Sequence, residues 1–136
     1  MDGIEDIYYK KRLIAKVFRA NLPIDGVQFF TDELNPFQIG AHKRKKGVSL
    51  QPHVHLMEKP VTINVIQELL FVQSGKIQVT IYTTKGRVIT SKILTSGDSI
   101  LLMEEGHGVE FLEDSRIFEV KQGPYPGTTH AKLYLQ

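Results

Sequence analysis

From Val48 onward the chain reads as a succession of short β-patterned segments separated by turn signals, and this spacing constrains the fold more than any other feature. Residues 61–72 are rich in β-branched and aliphatic side chains and stop at Gln73-Ser74-Gly75. Over 76–83, Ile77, Val79 and Ile81 share one parity while Gln78, Thr80 and Tyr82 share the other. That is the period-two alternation of a half-buried strand. Thr84-Lys85-Gly86 leads into a segment over 87–94, and Thr95-Ser96-Gly97-Asp98 leads into one over 99–103. Segments over 109–112 and 116–121 are split by Glu113-Asp114-Ser115. The pattern predicts an all-β sandwich or barrel, with Ile77, Val79, Ile81, Ile100, Leu102, Phe111 and Ile117 in its core or at a dimer interface.

The first third is less regular. Residues 7–20 fit a short helix or contain an early strand over 13–18. Residues 26–30 and 37–44 read as strands joined by a polar loop containing Asn35-Pro36. The tail Pro124-Tyr125-Pro126-Gly127 is extended or turning, because each proline restricts the residue before it. A length of 136 residues fits one domain with one hydrophobic core. The organisation expected is a short N-terminal extension over 1–35 packing on a barrel over 36–136, tail included.

Composition removes several classes of function. The absence of cysteine excludes a disulfide framework and a thiolate metal site. No apolar run approaches the roughly 20 residues that span a bilayer, so no membrane partner is expected. The acidic start, Met1-Asp2-Gly3-Ile4-Glu5-Asp6, lacks the basic-then-apolar order of a secretory signal, and a cytoplasmic location follows as the expectation. His42-Lys43-Arg44-Lys45-Lys46 and Lys10-Lys11-Arg12 concentrate positive charge on a chain of formal charge only +2. Without aromatic interleaving or a nucleic-acid module, these clusters read as charged edges and turns that deter edge-to-edge pairing, and no nucleic-acid partner is expected.

The residue types that carry chemistry begin with His53-Val54-His55. In a strand, side chains at i and i+2 leave the same face about 6–7 Å apart, so two neutral imidazoles there form half of a first-row metal site. Glu68 opens a segment running into Gly75, and His107 stands in Glu104-Glu105-Gly106-His107-Gly108. Three histidines and one carboxylate suit Fe, Mn, Ni, Zn or Cu with one or two positions open. Glu58 is a rival to Glu68, but no glycine follows it at the corresponding spacing. Gln51 shares the parity of His53 and His55, and Arg44 could meet an anionic group. Both are candidate substrate-binding residues. His42 and His130 are expected in solvent, and Tyr82 and Tyr125 in half-buried packing roles.

Gly47 followed by five residues, His53-x-His55, and later Glu68, six residues and Gly75, resembles the first motif of the cupin superfamily. The chain departs from it between His55 and Glu68, where twelve residues replace the family's three or four. It departs further in the second motif. Five residues after Gly97 comes Met103 rather than proline, Gly106 and His107 are adjacent, and Phe111 stands at the asparagine position. The stretch from Phe118 to Gly127 is faintly similar to the exit of mannose-6-phosphate isomerase-type and other sugar-handling cupins.

The resemblance covers roughly residues 36–123. It implies a cupin-type double-stranded β-helix (jelly-roll) barrel, a divalent transition metal at His53, His55, Glu68 and His107, and a homodimer. It further implies a sugar, nucleotide sugar or similar polar metabolite as the small-molecule ligand, with isomerase- or epimerase-like chemistry. A non-catalytic carbohydrate-binding module and a cupin dioxygenase are the alternatives it leaves open.

Overall fold

A computed structural model describes residues 1–135. It is all-β, with ten strands in three antiparallel sheets, and no helix among the described residues. The strands are β1 (Ile4–Tyr9), β2 (Arg12–Phe18), β3 (Gly26–Phe29), β4 (Gly40–Lys43), β5 (Glu68–Ser74), β6 (Lys76–Tyr82), β7 (Val88–Thr95), β8 (Ser99–Leu102), β9 (Gly106–Phe111) and β10 (Arg116–Lys121). A five-stranded sheet has the order β1-β2-β8-β5-β10, a three-stranded sheet the order β7-β6-β9, and β3 pairs with β4 alone. These ladders form no closed barrel among the described residues.

The chain divides into two compact units, each described by itself. The first comprises Met1–Leu22 and the residues from Val65 onward. Its two sheets share one apolar core, because side chains of one parity on each strand point inward. Ala15 and Val17 of β2, Leu70 and Val72 of β5, Ile77, Val79 and Ile81 of β6, Leu94 of β7, and Ile100 and Leu102 of β8 are all buried in it. At about 25 cal/mol per Å² of apolar surface, each such aliphatic side chain contributes about 1.5–3 kcal/mol to folding. Val109 and Ile117 pack against the cluster from the edge strands. Phe111 shares that inward parity, yet as the last residue of β9 it is 55% exposed.

The segment over 7–20, open between helix and strand by sequence, forms β1 and β2 joined at Lys10-Lys11. Both strands belong to the five-stranded ladder. The β5–β6 connection depends on Gly75, whose φ is +96° and whose α-carbon faces Ser115 and the Asp114 carbonyl so closely that a side chain has no room.

The second unit, Pro23–Asn64, holds only the β3–β4 pair and has no buried residue. Here the sequence reading is corrected. The stretch carrying His53 and His55, expected as a strand, has none, and the strand expected over 61–72 begins only at Glu68. Val48, Leu50, Val54 and Leu56 alternate as a strand would, but all are exposed. A strand is stabilised by cross-strand pairs, and this segment has no ladder partner. Pro52 and Pro60 also remove two donors that a ladder would need.

Candidate functional site

In the first unit, the inward face changes from apolar to ionisable at one edge. Val72 pairs with Ile117, Leu70 with Glu119, and Glu68 with Lys121. Directly opposed residues share a face, so Glu68, Glu119 and Lys121 continue the inward row that Leu70 and Val72 begin. Across the core, Val79 pairs with Val109 and Ile81 with His107, which places His107 on the inward row of β9. The two edge strands β10 and β9 thus each bring an ionisable side chain to the end of β5.

His107 Nε2 lies 3.8 Å from Glu68 Oε1. The Glu68 side chain is only 13% exposed and that of His107 33%, while Glu119 is open to solvent. Burial pushes the Glu68 carboxyl up to about 7, and its hydrogen bond to the Glu119 carboxylate and that group's charge act in the same direction. Accepting that bond holds Glu119 below the usual carboxylate range. Burial lowers His107, with Lys132 and Lys121 adding to it against the opposing charge of Glu119. Near neutral pH the site therefore sets side by side a carboxylic acid, a carboxylate and an uncharged imidazole. Among the described residues, neither carboxylate has a lysine or arginine within ion-pairing distance.

Of the residues singled out by sequence, the structure brings together Glu68 and His107. His53 and His55 belong to the second unit, where both are exposed and their rings stand edge-on with centroids 5.0 Å apart. His53 Nδ1 is 2.8 Å from the Gln51 carbonyl oxygen, so Gln51 meets the histidine through its backbone. Arg44 follows β4 and is exposed, as are Glu58, His42 and His130. Tyr82 is half-buried, whereas Tyr125 is 63% exposed.

Among the described residues no group of three or more histidines and carboxylates is arranged to hold a metal ion. Of the donor set implied by the cupin resemblance, Glu68 and His107 lie in the first unit and His53 and His55 in the second. Glu119 is the member of this cluster that sequence reasoning passed over. It shares the parity of Ile117, but its relation to Glu68 is set by the β5–β10 register.

No protein-family model matches the chain, and no curated protein or solved structure does. No helix of the described residues is long and apolar enough to cross a membrane.

Proposed function

We propose that this chain is a proton-transfer enzyme of cupin-like jelly-roll ancestry, acting on a small sugar-like metabolite in an isomerase- or epimerase-like reaction. The observation that carries the reading is the convergence of Glu68, Glu119 and His107, from three strands, with the acid retaining its proton near neutral pH. General acid–base catalysis works best when the catalytic group titrates near the working pH, and burial has moved Glu68 there.

In the first half-reaction the Glu119 carboxylate takes the proton from the carbon beside a substrate carbonyl while Glu68 gives its proton to the carbonyl oxygen, leaving a neutral enediol. In the second, the Glu68 carboxylate accepts the proton of the other enediol hydroxyl as Glu119 returns its proton to the former carbonyl carbon. Atoms and charge balance without an added oxidant or reductant. The uncharged His107 can donate to or accept from a substrate hydroxyl, and the apolar residues Leu70, Ile81 and Val109 back the site on its core side.

The test is loss of C–H signal from aldoses and ketoses incubated with the protein in heavy water, followed by proton NMR. Exchange at the carbon next to the carbonyl, abolished in Glu68→Gln, supports the reading. Exchange with no member of the panel, or exchange unchanged in the variant, overturns it. The Glu68–His107 contact also favours a second reading, a divalent transition metal that displaces the Glu68 proton. Stoichiometric metal that disappears from both Glu68→Gln and His107→Ala is the outcome that would favour it.

A further inference from the structure

A second region of the first unit has the makings of a binding site. A cavity of about 320 Å³ lies between the β1–β2 turn and the β6–β7 turn. Four cations line it, Lys10, Arg12, Lys85 and Arg87, against one carboxylate, Glu105. That carboxylate is already engaged. Its Oε1 accepts from Arg12 Nη2 at 2.9 Å and its Oε2 from the Thr84 backbone N–H at 3.0 Å, with the side chain only 10% exposed. Glu105 therefore acts as a bracket that ties the two turns together, while Arg12 is engaged by two carboxylates, its Nη1 donating to Glu104 Oε1 at 2.8 Å. Lys10, Lys85 and Arg87 have no ion-pair partner among the described residues, so the cavity carries uncompensated positive charge.

Backbone conformation points to the same place. Among the described residues, only three other than glycine have positive φ: Lys10 at 49°, Lys11 at 65° and Glu105 at 70°. Two of them line the cavity and the third adjoins it. A two-residue hairpin turn with both central φ values positive favours Asn-Gly, and bulky side chains are strained there. The chain instead places two lysines in the turn. Charge facing the cavity accounts for Lys10 where turn chemistry does not.

We propose that this cavity binds a phosphomonoester, its dianion held by Lys10, Lys85 and Arg87. Arg87 supplies a planar fork suited to phosphate oxygens, and the lysines supply point charge. The volume exceeds that of a bare ion, leaving space for a small polar body beside Thr83 and the Tyr9 ring. The site is separate from the Glu68 centre and does not rest on the proton-transfer reading.

The experiment is an amide NMR titration of the full chain with inorganic phosphate, and then with glycerol 1-phosphate, against sodium chloride at equal ionic strength. Saturable shifts at Lys10, Thr84, Lys85 and Arg87 are expected, with affinity about tenfold weaker or worse in Lys10→Gln/Arg87→Gln. Replacing the turn by Lys10→Asn/Lys11→Gly separates charge from strain: it should raise Tm while weakening phosphate binding. Shifts equal to those in chloride, shifts centred elsewhere, or wild-type affinity in both double variants overturn the proposal.

Discussion

The two edges of the β-sandwich carry charge in opposite ways. At the β1–β7 edge, Glu5 is bound by Arg19 Nε at 2.6 Å and by Lys92 Nζ at 2.9 Å. Arg19 also reaches Asp98 Oδ2 at 3.3 Å, and Asp98 accepts from the backbone N–H groups of Ala20 and Thr95. Each carboxylate there has a cation and donors, and the hydrogen bond from Arg19 draws Glu5 down to about 2. At the β9–β10 edge, Glu68 is buried beside another carboxylate and an uncharged imidazole, and is pushed up to about 7. The first arrangement joins two sheets. The second leaves a protonated carboxyl beside a solvent-open carboxylate.

The largest effect that would break this contrast is on catalysis. Glu68→Gln keeps a hydrogen-bond donor toward Glu119 but removes the transferable proton, so exchange of substrate protons should fall about 100-fold or more. Urea denaturation should show the fold intact. If the exchange rate survives, the β9–β10 edge is structural like its counterpart.

The converse applies to Asp98, whose residue is 5% exposed. Asp98→Ala strands the Ala20 and Thr95 N–H groups and removes one of the two carboxylates that Arg19 meets, and should destabilise the fold by about 3 kcal/mol in urea. Substrate exchange per folded molecule should not change. A loss of exchange there would mean that the two edges are coupled.

Stability as a function of pH should separate the edges by sign. Glu68 titrates higher when folded than its ordinary value of 4.5, so its contribution is fully present below 4.5 and is lost as pH rises through about 7. Glu5 titrates lower when folded, so its contribution is present above 4.5 and is lost as pH falls toward 2. Solvent screening leaves the Glu5 contribution at about 1–2 kcal/mol. Tm measured against pH should therefore flatten between 4.5 and 7 in Glu68→Gln, and between 2 and 4.5 in Glu5→Gln. Flattening in the same window for both variants would remove the distinction.

How far the sequence revealed this depended on whether alternation had a ladder to join. Over 76–121 it did: strand, glycine turn and inward parity agree, and Ile77, Val79, Ile81, Ile100 and Leu102 are buried. Glu68 and His107 stood out as isolated ionisable residues in that region. Their pairing could not be read locally, because it depends on β5 and β9 meeting across the core. Glu119 was hidden for the same reason, its diagonal relation to Glu68 being set by the β5–β10 register. Over 48–66 the alternation was equally clear and misleading, since no strand pairs with it. The His53–His55 spacing is real, but its strand geometry is not.

That last difference supports the smallest prediction. His53 and His55 are exposed, their rings edge-on to each other and His53 Nδ1 beside the Gln51 carbonyl. Exposed substitutions without packed partners shift stability by less than about 0.5 kcal/mol. His53→Ala/His55→Ala should therefore leave the urea midpoint in place, and leave Glu68-dependent proton exchange at the wild-type rate. Elemental analysis of the same variant adds the decisive contrast. A metal content that falls with these two histidines, and falls equally with Glu68→Gln, would join the second unit to the β9–β10 edge in one site. An unchanged content and rate would confine the chemistry to the three strands that carry Glu68, His107 and Glu119.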